Sequence, residues 1–72
     1  MKVYIVLDKS GNLYGVTSTM RSARDIIQGI IDCLYDTTED IQDYQEIEFG
    51  KGITEIWIDG TEYDILEEEV VE

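Results

Sequence analysis

Histidine and proline are absent from this 72-residue chain, cysteine occurs once, and five Lys and Arg stand against 17 Asp and Glu. Without histidine, the commonest general base, nucleophile activator and transition-metal ligand are missing together. Cys33 has no second cysteine, so an intrachain disulfide is excluded and a reducing compartment is expected. It lies among acids, Asp32 and Asp36, which suits a structural or incidental thiol better than a nucleophile. No glycine-rich phosphate loop is present, because Gly50-Lys51-Gly52 lacks the spacing. An enzyme is therefore not expected, and no cofactor is implied. Five bases cannot supply the clustered cations that phosphate contacts need, which disfavours direct nucleic-acid binding. Long apolar runs are missing too. The opening run, Val3 to Leu7, is too short for a signal peptide or a membrane span, so a soluble cytoplasmic protein with no membrane partner is the expectation.

What is present is acid, unevenly placed. Residues 32 to 72 carry fifteen of the 17 acids and a single base, Lys51, whereas residues 1 to 31 carry Asp8 and Asp25 against Lys2, Lys9, Arg21 and Arg24. Such an imbalance repels itself and steers the chain toward positively charged partners. Halophilic adaptation would spread acid over the whole surface instead. The apolar fraction of 43% with seven aromatics still marks a folded protein, one domain over residues 1 to 72, near the lower size limit for a self-sufficient core.

Lys2 to Asp8 alternates Val3, Ile5 and Leu7 with Tyr4 and Val6, a strand apolar on both sides. Lys9-Ser10-Gly11-Asn12 is turn chemistry, and Leu13 to Thr17 returns as a second strand with Gly15 as a bulge or close-packing point. Asp8, Ser10 and Asn12 faintly resemble the start of a calcium loop, but the central Gly is misplaced and no Glu closes it, so a hairpin turn is the simpler reading. Ser18 or Thr19 can cap a helix from about Met20 to Tyr35, whose stripe of Met20, Ala23, Ile26, Ile27, Ile30, Ile31 and Leu34 must cover a sheet. An acidic connection, Asp36 to Asp43, leads to strands over Tyr44 to Phe49, Ile53 to Ile58 and Thr61 to Leu66, with Glu67 to Glu72 a frayed acidic end. The order ββαβββ predicts an α+β fold, one antiparallel sheet with a helix on one face.

Lys2-Val3-Tyr4-Ile5-Val6, Gly15-Val16-Thr17-Ser18-Thr19 and Ala23 resemble the opening of small uncharacterised proteins common in bacteriophages and Firmicutes. Those open with a K-V-Y-V-V strand, a G-V-F-S-T strand end and an Ala-containing helix. The resemblance covers about the first third of the chain. Thr17 stands where an aromatic is usual, and Arg21 and Arg24 lie on a helix that is usually mixed or acidic. The resemblance carries no activity to any residue. It implies a phage accessory protein that touches host machinery, in an anti-defence or transcription-modulating role, within the bacterial host cytoplasm.

The late hairpins supply the candidate site. With Asp59-Gly60 as a two-residue turn, Trp57 faces Glu62, Ile56 faces Tyr63 and Glu55 faces Asp64. With Lys51-Gly52 as a two-residue turn, Phe49 faces Thr54, Glu48 faces Glu55, Ile47 faces Ile56 and Glu46 faces Trp57. One face then holds Ile47, Phe49, Ile56, Ile58, Tyr63 and Ile65 under the helix, and the other gathers Glu46, Glu48, Glu55, Glu62 and Asp64 around Trp57. Like charges directly opposite are destabilising, and a small domain has little stability to spare, so an acidic face kept at such a cost reads as functional. Asp36, Glu39, Asp40 and Asp43 would extend the strip, with Trp57 an apolar anchor.

Three readings follow. The first is an inhibitor that occupies a basic, nucleic-acid-binding surface of a host protein as a DNA or RNA mimic. The second is a self-associating structural or regulatory module, a homodimer through Tyr4, Val6 and Trp57 on the face away from the helix. The third is a carboxylate cation-binding domain.

Overall fold

The computed structural model describes residues 1–71, Thr38 through its backbone only. Strands β1 (Lys2–Asp8) and β2 (Leu13–Thr17) precede helix α1 (Met20–Leu34). A short 3-10 turn (Thr38–Asp40) then leads to β3 (Tyr44–Phe49), β4 (Ile53–Ile58) and β5 (Thr61–Glu69). All five strands form one antiparallel sheet in the order β2-β1-β5-β4-β3, the expected α+β architecture. The first and last strands are therefore neighbours inside the sheet, and β2 and β3 are its edges.

Thr19 caps the helix, its hydroxyl accepting the Ser22 backbone N–H at 3.1 Å. The stripe buries Ala23, Ile27 and Ile31 against Val6, Ile56, Ile58, Tyr63 and Ile65, with Met20, Ile26 and Ile30 packed at the margin. Leu34, assigned to the same stripe, is instead exposed, because the helix ends there and Tyr35 packs on the core in its place. Gly15 permits the close approach of α1 to β2: a Cβ there would meet Ile26 Cδ1 at 2.6 Å.

Two expectations need correction. The acidic end is not frayed at Glu67 to Glu69, since these residues continue β5 and pair with Tyr4, Val3 and Lys2. Cationic partners on the neighbouring chain end hold them: Lys2 Nζ lies 3.5 Å from Glu67, and the N-terminal ammonium 3.4 Å from Glu69. Glu72, at the end of that segment, lies outside the described residues.

The second correction is the register of β3. Asp59-Gly60 closes β4 and β5 as predicted, with both turn residues at positive φ, +49° and +85°, and Trp57 opposite Glu62. The β3–β4 loop has three residues, Gly50-Lys51-Gly52, and not two: Phe49 pairs with Ile53, and Gly52 takes the left-handed position at φ +74°. One extra loop residue shifts the pairing by one and turns every side chain of β3 to the opposite face. Glu48 thus pairs with Thr54, Ile47 with Glu55 and Glu46 with Ile56.

Candidate binding face

Each strand contributes alternate residues to the face that α1 does not cover. Glu55, Trp57, Glu62 and Asp64 are brought together there, as the sequence predicted. A carboxylate oxygen from each of Glu55, Glu62 and Asp64 lies within 4.8 Å of the others. The Trp57 indole N–H donates to Glu55 at 3.0 Å, which fixes the ring beside the acids. Asp64 Oδ1 is buried with no hydrogen-bond partner. Burial, the charges of Glu62 and Glu55, and a hydrogen bond with Glu62 push the Asp64 carboxyl up to about 6. Calcium takes roughly six to eight oxygen ligands, which can include water and both oxygens of a carboxylate, so the trio would supply part of such a shell. The Asp8 loop is a turn as read: its carboxylate accepts the Asn12 backbone N–H at 2.9 Å, the Asn12 side-chain amide at 3.0 Å and the Tyr14 hydroxyl at 3.1 Å.

Glu46 and Glu48 do not join the trio. The shift in β3 turns them to the helix side, where the Arg24 guanidinium pairs with Glu46 and approaches Glu48 at 4.0 Å. Ile47 and Phe49, expected under the helix, take their places on the uncovered face, 39% and 45% exposed. Tyr4 and Val6 are likewise not on that face: Val6 is fully buried in the core and Tyr4 packs against it, donating to Glu67 at 3.1 Å. A homodimer through Tyr4, Val6 and Trp57 therefore has only Trp57 available.

Asp36, Glu39, Asp40 and Asp43 are all exposed along the connection between α1 and β3. That connection is tied down by Asp59, whose importance the sequence analysis missed. Asp59 Oδ1 accepts the backbone N–H groups of Gln42 and Asp43 at 2.9 and 2.7 Å, and Oδ2 accepts the Tyr35 hydroxyl at 2.7 Å. These bonds hold its carboxyl below the usual range, Tyr35 contributing most. Its only sequence signal was the Asp-Gly turn.

The second feature missed is apolar. The uncovered face carries a continuous cross-strand row, Val16, Ile5, Leu66, Ile53 and Phe49, one residue from each of the five strands. The neighbouring row runs Leu13, Leu7, Asp64, Glu55 and Ile47, acid at its centre and hydrocarbon at both ends. Val16, Ile53 and Phe49 are 55%, 40% and 45% exposed. The apolar residues on both sides of β1 were the available signal: a strand buried on one face only would alternate with polar residues.

Among the described residues no helix is long and apolar enough to cross a membrane. Compared with protein-family models, curated proteins and solved structures, the chain matches none of them.

Proposed function

We propose that this chain is a small acidic binding protein that occupies a basic surface of another protein and so excludes what that surface normally holds. The observation that carries this reading is the cluster of Glu55, Glu62 and Asp64 on the uncovered face. Like charges opposed across β4 and β5 cost stability, and the ion pairs among the described residues, formed by Arg24, Lys2 and the N-terminus, go to other acids. A cationic partner would supply the missing counter-charge, and a net charge of −12 would speed its capture. Glu55, Glu62, Asp64 and Trp57 form the centre of the contact, and Asp36, Glu39, Asp40 and Asp43 extend its field. Strict imitation of a phosphate backbone is less well supported, because Ile47 and Phe49 interrupt the acidic strip and Arg24 neutralises Glu46.

The test is affinity capture from a bacterial lysate with the intact chain as bait, eluted by a salt gradient. Basic proteins retained by the parent and released by Glu55→Gln/Glu62→Gln/Asp64→Asn support the reading. Recovery of no basic protein, or equal retention by the triple variant, sinks it.

A further inference from the structure

A sheet buries its apolar faces against other layers, and in the described chain α1 covers only one. The other face presents the five-residue row from Val16 to Phe49, which at normal strand spacing spans about 19 Å, roughly the length of a 13-residue helix. Exposed apolar surface of this extent on a small soluble protein marks an interaction site. The acid beside the row decides among occupants. A second copy stacked face to face would bring a second set of the same carboxylates to the interface and no ion-pair partner for either set. Nucleic acid and anionic lipid would meet a chain of net charge −12.

We infer that the uncovered face docks an amphipathic helix of a basic partner protein, seated by its apolar stripe on the row Val16, Ile5, Leu66, Ile53 and Phe49 and inserting an arginine between Glu55, Glu62 and Asp64. This rests on the binding function proposed above and names the partner's chemistry. Arginine fits better than lysine for two reasons. Its planar fork bonds two carboxylates at once, and its face stacks on an indole such as Trp57, already held beside Glu55 by its N–H. The guanidinium would also bring counter-charge beside Asp64, a part-buried carboxyl with none of the chain's ion pairs among the described residues. Glu62 on β5 and Glu55 on β4 are the charged groups acting on Asp64 and β1 contributes Leu7, while Lys9, whose backbone N–H bonds the Glu62 carbonyl at 3.3 Å, forms none of the ion pairs among the described residues.

Trp57 is the chain's only tryptophan, so its fluorescence reports on this face directly. The probe is a synthetic helical peptide with a leucine stripe and one arginine within it. The controls are the same peptide with glutamine for that arginine, and hexa-arginine without leucine. At about 0.15 M salt the arginine peptide should saturate with a blue shift of Trp57, and the glutamine peptide should bind about tenfold more weakly. Hexa-arginine should leave Trp57 unshifted. Glu55→Gln/Asp64→Asn should erase the difference between the two helical peptides, its fold checked by circular dichroism. Equal binding of the two peptides by the parent, or no shift with either, overturns the inference. So does a concentration-dependent Trp57 shift without peptide, with a dimer in sedimentation, because the occupant would then be a second copy. A basic protein captured from lysate and released by the triple variant, despite failed peptides, would leave the binding function standing and overturn the helix docking alone.

Discussion

Arg24 on α1 pairs with Glu46 of β3, and its guanidinium also approaches Glu48 of the same strand at 4.0 Å. The pair is partly exposed, at 40% and 29% for the two side chains, so its contribution is modest. It nevertheless reports the register of β3, since a two-residue loop would put Glu46 on the far side of the sheet. A double-mutant cycle of Arg24→Ala and Glu46→Gln, read by urea denaturation, should give a coupling of about 0.2–1 kcal/mol. A coupling of zero would mean that the pair, exposed as it is, adds nothing to stability.

Two isoleucines facing each other in a naive reading of the hairpin have opposite fates. Ile56 is 1% exposed in the core, whereas Ile47 is 39% exposed on the uncovered face. Ile56→Ala should cost about 2–5 kcal/mol, and Ile56→Asp should abolish cooperative folding. Ile47→Asp should fold, changing stability by no more than about 1 kcal/mol. Thermal melts followed by circular dichroism distinguish them, and an unfolded Ile47→Asp would place β3 in the other register.

Stability should pass through a maximum in mild acid. Asp64 holds its proton more tightly in the fold, near 6, than in the unfolded chain, at 3.8, so lowering the pH through about 6 favours the folded state. Asp59 and Asp8 behave oppositely. Their folded carboxyls are held down, by the Tyr35 hydrogen bond and by Asn12 respectively. The stabilisation they give is present above the unfolded value and is lost as pH falls through the folded one. The urea midpoint should therefore rise from pH 7 to about 5 and fall below about 4. Asp64→Asn should remove the rise and exceed the parent at pH 7. A flat midpoint between pH 7 and 5 would mean that Asp64 ionises as freely in the fold as out of it.

Screening should stabilise the chain as well. With −12 net charge, raising salt from low levels to about 0.15 M should raise the melting temperature, by weakening repulsion among the acids of the second half. Unchanged melting would mean those acids are already well separated.

The strands and the helix were legible because each carries its period and its punctuation: Thr19 before the stripe, Asp59-Gly60 between two alternating segments. The trio of Glu55, Glu62 and Asp64 was legible for the same reason, since that turn leaves one register open. The other half of the site depended on Gly50-Lys51-Gly52, where a glycine at each end allows loops of two or three residues. The choice between them is made by contacts distant in sequence, such as Arg24 to Glu46 and the Glu67 N–H to the Gly52 carbonyl at 2.7 Å. Val6 and Tyr4 were misplaced because β1 is apolar on both sides, so its pattern alone does not say which face meets the helix. Asp59 was read as a turn residue because its carboxylate's partners lie in a connection with no period of its own.

As an edge, β3 leaves one side of its backbone unpaired, and all six of its residues are exposed. Glu48, and Glu46 with its Arg24 partner, guard it, since a strand added from another molecule would have to accommodate these charged side chains. With glutamine at both positions, Tyr-Gln-Glu-Ile-Glu-Phe would become an uncharged, proline-free, alternating hexapeptide of the kind that stacks into cross-β fibrils. Two carboxylates on an open strand thus do a second job, keeping copies of the chain from joining edge to edge into a polymer.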